Sequence, residues 1–186
     1  MKRFAVVLSF ALLFASQSLF ADVPQNIIRN LAIQGVTDLI DWKVGEWAEF
    51  QMEFVFPGTL KKEVTGEEKG AIWVVSVMSF DAFGDTEVKM KLSRATGEIL
   101  EFYVNGEKQD PPAMPKVDIV DQVEEVITVP AGKFQTIKVT LKDRETGDMS
   151  YIWVNPRDVA MEGIVQMQSS TQYGDMTLKL TAFGGM

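Results

Sequence analysis

The chain has 186 residues, is 46% hydrophobic, and carries 26 Asp and Glu against 18 Lys and Arg. It contains neither Cys nor His, which removes disulfide staples, Ser-His-Asp and Cys-His nucleophile systems, thiolate or imidazole zinc sites, and His-ligated haem or copper. Its net charge of −8 is repelled by phosphate backbones and anionic membrane surfaces, so nucleic acid is not an expected partner.

The first residues read as a secretory signal. Lys2 and Arg3 form a positive start, Phe4 to Phe14 is an apolar run too short to span a bilayer, and Ser16 to Ala21 approaches a cleavage site placed after Ala21. The expected location is therefore the periplasm, with no integral membrane segment left in the mature chain, residues 22–186. No composition break or internal repeat divides that stretch, so it reads as a single β domain preceded by a short helical segment, residues 22–44. In that segment Ile27, Ile28, Leu31, Leu39 and Ile40 recur at helical spacing, with Asp22 as a cap and Pro24 inside the first turn.

From Glu46 onward the period changes to alternation. Ala48, Phe50, Met52, Phe54 and Phe56 point one way, and Glu49, Gln51 and Glu53 the other, as in a strand with one wet face. Pro57-Gly58-Thr59 turns the chain, and Leu60, Lys62 and Val64 resume the alternation. Ala71 to Phe80 is apolar on both sides, which predicts a strand in the middle of the sheet or covered on both faces. Phe83-Gly84-Asp85 turns into a strand in which Val88, Met90 and Leu92 alternate with Glu87, Lys89 and Lys91.

Ala95-Thr96-Gly97 leads into Glu98 to Val104, and Asn105-Gly106 is a strong turn signal. Glu107 to Val117, with Pro111, Pro112 and Pro115, reads as a long loop. Ile119 to Val129, Phe134 to Lys142, Met149 to Asn155, Ile164 to Thr171 and Met176 to Phe183 complete about ten strands with short connections. The predicted fold class is mainly β: a single curved antiparallel sheet over residues 45–186, a half-barrel or open barrel.

Carboxylates are the abundant candidates for catalysis. Glu67-Glu68 and Glu124-Glu125 are adjacent, so on regular strands the members of each pair face opposite sides, and with Asp118-Asp121 they read as solvated charge. Asp143 to Asp148 has oxygen ligands in a tight turn but lacks the spacing of a calcium loop, and hairpin-turn chemistry explains it. No phosphate-binding glycine loop and no Ser-x-x-Lys pairing occurs. No catalytic residue, metal ligand or cofactor is assigned, and the chain is not expected to be an enzyme.

The most distinctive string is Val126-Ile127-Thr128-Val129-Pro130-Ala131-Gly132-Lys133-Phe134, followed by Tyr151-Ile152-Trp153-Val154-Asn155-Pro156 and Gly163-Ile164-Val165. In that order it resembles a group of exported bacterial proteins of unknown function with a VPAG-x-F turn. Their sheets are similar to the half-barrels of the periplasmic lipoprotein carriers and their outer-membrane receptor (LolA- and LolB-like). The resemblance covers residues 45 to 184 and implies a curved sheet with an apolar concave side, plugged by the segment from Pro24 to Ile40. Turn chemistry accounts for Val129, Pro130, Ala131, Gly132 and Phe134 as a structural motif: Pro130 ends one strand, Gly132 takes a positive φ, and Phe134 starts the next.

The expected function is a non-catalytic periplasmic binding or chaperone-like module that shelters an apolar ligand such as a lipid acyl chain. The ligand surface would be Phe50, Met52, Phe54, Met78, Met90, Phe102 and Trp153, since aromatic and methionine side chains adapt to flexible apolar ligands. The same residues also suit an ordinary core. The alternative is a structural or interaction protein that docks on an envelope partner through a sheet edge or through the Pro-rich loop, residues 107–117.

Overall fold

The computed structural model describes residues 41–54, 56–81, 84–111, 117–171 and 174–185. The expected signal sequence and its cleavage site, and residues 22–40 of the expected helical segment with its plugging role, lie outside these residues; residues 41–44 are not helical.

The described chain is mainly β, an open antiparallel sheet of eleven strands. They are β1 (Trp47–Glu53), β2 (Gly58–Glu68), β3 (Ala71–Phe80), β4 (Gly84–Ser93), β5 (Ile99–Val104), β6 (Glu107–Gln109), β7 (Val117–Val129), β8 (Gly132–Asp143), β9 (Met149–Val154), β10 (Ile164–Thr171) and β11 (Gly174–Gly184). Their order across the sheet is β6-β5-β4-β3-β2-β1-β11-β10-β9-β8-β7. Every strand therefore pairs with its neighbours in sequence, except that β1 closes on β11 and the ring is left open between β6 and β7.

The long loop expected over residues 107–117 is shorter at both ends. Asn105 (φ 50°) and Gly106 (φ 80°) both take positive φ, the two-residue turn that matches strand twist, so the chain returns at once as β6 beside β5. Val117 already opens β7.

Alternation sets the inner face. Phe50, Leu60, Met78, Val74, Met90 and Phe102 follow one another across β1 to β5, and Met52, Leu178, Met167, Ile152 and Val139 across β1, β11, β10, β9 and β8. All of these are buried. A lone sheet has no second layer, so this burial requires the sheet to curl until its inner face meets itself and the loops that cross it. Ile72, Val74, Met78 and Phe80 on β3 are buried, whereas Trp73, Val75 and Val77 on its other side are only half-buried. Part of that outer side is shielded by lysine stems from β4: the Lys89 and Lys91 ammonium groups stand 4.6 and 5.3 Å from the Trp73 ring.

The Val129-Pro130-Ala131-Gly132 turn has a tertiary role. Gly132 has φ 139°, and the Ala131 N–H donates to the Leu180 carbonyl of β11 at 3.0 Å, reaching past β9 and β10. The β1–β11 register slips between Glu49 and Phe50, leaving Thr181 as an extra residue. Beyond the same turn, Phe134 packs edge-on against Phe183 at 6.1 Å between ring centroids. The turn thus ties the β7–β8 hairpin to β11.

Candidate functional site

Five of the residues expected to form an apolar groove, Phe50, Met52, Met78, Met90 and Phe102, are buried on the inner face. Phe54, one residue beyond β1, packs half-buried against the same core. They fall into two clusters: Phe50, Met52 and Met78 with β8 to β11, and Met90 and Phe102 with Trp42, Val64, Ile72, Val74, Leu92 and Val104.

Trp153 does not join them. It pairs with Lys138 and Gln166, while its neighbour Ile152 pairs with Val139 and Met167 on the inner side. An indole N–H needs an acceptor when covered, and the outer face supplies one: Trp153 Nε1 donates to Glu125 Oε2 at 2.8 Å. The Lys138 ammonium lies 5.0 Å from both the Trp153 and Tyr151 rings.

Lying between the two clusters is the connection from β9 to β10, Asn155–Gly163. Asn155 builds it: its Oδ1 accepts the N–H groups of Arg157 and Asp158, its Nδ2 donates to Asp158 Oδ2, and its own N–H donates to the Gly163 carbonyl. Val159 joins the first cluster, and Ala160 and Met161 the second. The inner face is therefore filled in part by the protein's own loop.

Two polar contacts hold the loop down. Lys62 on β2 donates through Nζ to Glu162 Oε1, with both side chains buried, and the Met161 N–H donates to Glu46 Oε2 at 3.3 Å. The Lys62 ammonium also stands 5.9 Å from the Trp42 ring. Burial lowers the Lys62 amine from its ordinary value near 10.5 to about 7, because an ammonium stripped of water is disfavoured. The sequence carries a signal for Lys62: it sits between Leu60 and Val64 in an inward-facing alternation. Glu162, 100 residues away, has no such pattern around it.

The carboxylate pairs are spread along the surface rather than gathered in a pocket. Glu67 binds Arg94 and Glu68 binds Lys91, while Asp118 accepts from Arg144. Asp143 Oδ1 accepts the N–H groups of Glu145 and Thr146 at 2.7 and 2.8 Å, which spends one oxygen of that turn on its own backbone. Glu101, which accepts the Tyr103 hydroxyl and Lys108, is held below the ordinary carboxylate range by those donors. Among the described residues no group of three or more acidic side chains is placed to hold a metal ion.

One element remains open. β7 is thirteen residues long and lies at the end of the sheet, with β8 on one side and no strand on the other among the described residues. All seven residues from Val120 to Val126 are exposed, including Val120, Val123 and Val126 at 50, 50 and 56%. The register slips between Ile119 and Asp121, which makes Val120 an extra residue in a bulge.

No protein-family model matches the chain, and no curated protein does. Among solved structures it is similar to a protein from Bacteroides fragilis assigned as exported with a YmcC-like fold, at 12% identity and TM-score 0.39, covering 77% of this chain and 97% of that one. A protein from Parabacteroides distasonis assigned as a lipoprotein is 12% identical with TM-score 0.44, covering 81% and 100%. MucB is 13% identical with TM-score 0.44, covering 88% and 59%. Among the described residues no helix is long and apolar enough to cross a membrane.

Proposed function

We propose that this chain is a non-catalytic module of the cell envelope that engages a partner protein by strand addition at the free edge of β7. The envelope location follows from the leader-like residues 1–21. The observation that supports docking is the run Val120–Val126, exposed on both faces of a strand that has no strand on its outer side among the described residues. An extended segment laid there gains main-chain hydrogen bonds, and the three valines offer it apolar contact.

A photoactivatable benzophenone residue at position 123 or 126, in cells of the source organism, is expected to give one discrete adduct of fixed mass. The same probe at Leu100, equally exposed at 50%, is expected to give none. Adducts of equal yield at all three positions, or none at β7, contradict the reading.

A second reading keeps the apolar ligand inside the sheet. Ser169 lies on the inner face beside Met176, and its buried hydroxyl has no hydrogen-bond partner among the described residues, which a lipid with a polar end would supply. Native mass spectrometry of protein isolated from its own envelope is expected to show a bound lipid if this reading holds; repeated ligand-free spectra contradict it.

A further inference from the structure

The charge of β7 selects what can add to it. Between residues 117 and 129 the strand carries Asp118, Asp121, Glu124 and Glu125 and no Lys or Arg. Asp118 is engaged by Arg144 and Glu125 by the Trp153 indole. Two acids stay available among the described residues: the Asp121 carboxylate accepts only the neighbouring Gln122 N–H there, and Glu124 has no partner.

Self-pairing is opposed by these same groups. Two copies of β7 aligned antiparallel about Val123 set Asp121 opposite Glu125 at both ends of the contact, and like charges directly across a ladder are destabilising. The Val120 bulge further bends the edge away from a second copy. A segment bearing Lys or Arg meets the opposite sign at each of those positions, while its apolar residues lie against Val123 and Val126.

We infer that the edge of β7 takes up an extended, lysine- or arginine-bearing segment of another protein, and not a second copy of this chain. This rests on the strand-addition reading of β7 and adds the chemistry of the partner. Binding is steered by charge and weakens with salt, because the acids are exposed.

The test is fluorescence anisotropy of the full chain with labelled peptides of about ten residues, the span of an ordinary strand. One sets Lys opposite Asp121, Glu124 and Glu125 and Val opposite Val123 and Val126, a second has Glu for each Lys, and a third is the Lys peptide with a central Pro. The Lys peptide is expected to bind at least about tenfold more tightly than either of the others, with affinity falling as salt rises. D121K/E124K, whose changed side chains are exposed, is expected to keep its circular dichroism and to lose that preference.

If the Lys and Glu peptides bind β7 equally, strand addition stands and the basic partner is overturned. If the Pro peptide binds as well as the straight one, the contact is ionic only; if D121K/E124K still prefers Lys, the site is elsewhere, and either result overturns the inference. Absence of binding by all three overturns it together with the strand-addition reading, and a concentration-dependent dimer that the benzophenone at position 123 cross-links assigns the edge to a second copy instead.

Discussion

Lys62 and Glu162, a hundred residues apart in sequence, form a buried ion pair that fastens the Asn155–Gly163 loop to β2 across the inner face. Removing water from two charges is costly, so such a pair contributes little net stability, yet breaking it leaves an uncompensated charge. Lys62→Ala or Glu162→Ala is expected to lower unfolding free energy by about 3–5 kcal/mol in urea titration. K62M/E162L, which replaces the pair with apolar groups of similar volume, is expected to match or exceed the wild type. A double variant weaker than either single one contradicts this picture.

The pair also predicts a pH dependence. Lys62 has a pKa of about 7 in the folded protein and an ordinary value near 10.5 when unfolded. Between those values the unfolded chain binds more protons than the folded one, so this group makes stability rise as pH increases. Measured as wild type minus K62M/E162L, the difference in unfolding free energy is expected to shift in favour of the wild type between pH 6.5 and 9.5. A flat or falling difference contradicts the assigned burial of Lys62.

Gly163 ends the same loop with φ 69°, and a Cβ placed there meets Pro156 Cα at 2.6 Å and Pro156 N at 2.7 Å. Neither backbone atom moves without reshaping the loop. Gly163→Ala is expected to destabilise by at least about 2 kcal/mol, the order for a strained backbone position plus a clash. Thermal melting checks it, and an unchanged midpoint contradicts the loop geometry.

Ile152 and Trp153 test the assignment of faces. Ile152 is fully buried on the inner side, and Ile152→Ala is expected to cost about 2–5 kcal/mol. Trp153 is 5% exposed although it lies on the outer side, so Trp153→Phe keeps an aromatic ring but loses the hydrogen bond to exposed Glu125 and part of the buried ring surface, an effect of about 1–2 kcal/mol. The reverse ranking in urea titration contradicts the placement of Trp153 on the outer face.

Alternation made much of this fold legible. Ala48, Phe50 and Met52 against Glu49, Gln51 and Glu53 give β1 its faces without further information, and the mainly β, open antiparallel class follows from the same pattern repeated. β6 was missed because three residues, Glu107–Gln109, carry no period, although the Asn105-Gly106 turn before them already sends the chain back.

The loop that fills the inner face was illegible for a different reason. Val159, Ala160, Met161 and Glu162 lie outside any strand, and their burial depends on strands that reach them only once the sheet has curled. Lys62 is an intermediate case, since a lysine in an inward position signals a buried partner without naming it. Trp153 belongs to an apolar run, Ile152-Trp153-Val154, in which composition does not say which residue faces in, and the Glu125 acceptor decides it. For β7, the sequence shows a strand but not that its outer edge has no strand beside it among the described residues, because that depends on where the order of strands ends.

Amide hydrogen exchange, read residue by residue with and without a saturating lysine-bearing strand peptide, tests most directly where this protein binds. Strand addition at β7 predicts slowed exchange at alternate amides from Val120 to Val126, with the Asn155–Gly163 loop unchanged. Slowing confined to that loop and to the inner-face strands around Ser169, with β7 exchanging as before, contradicts it.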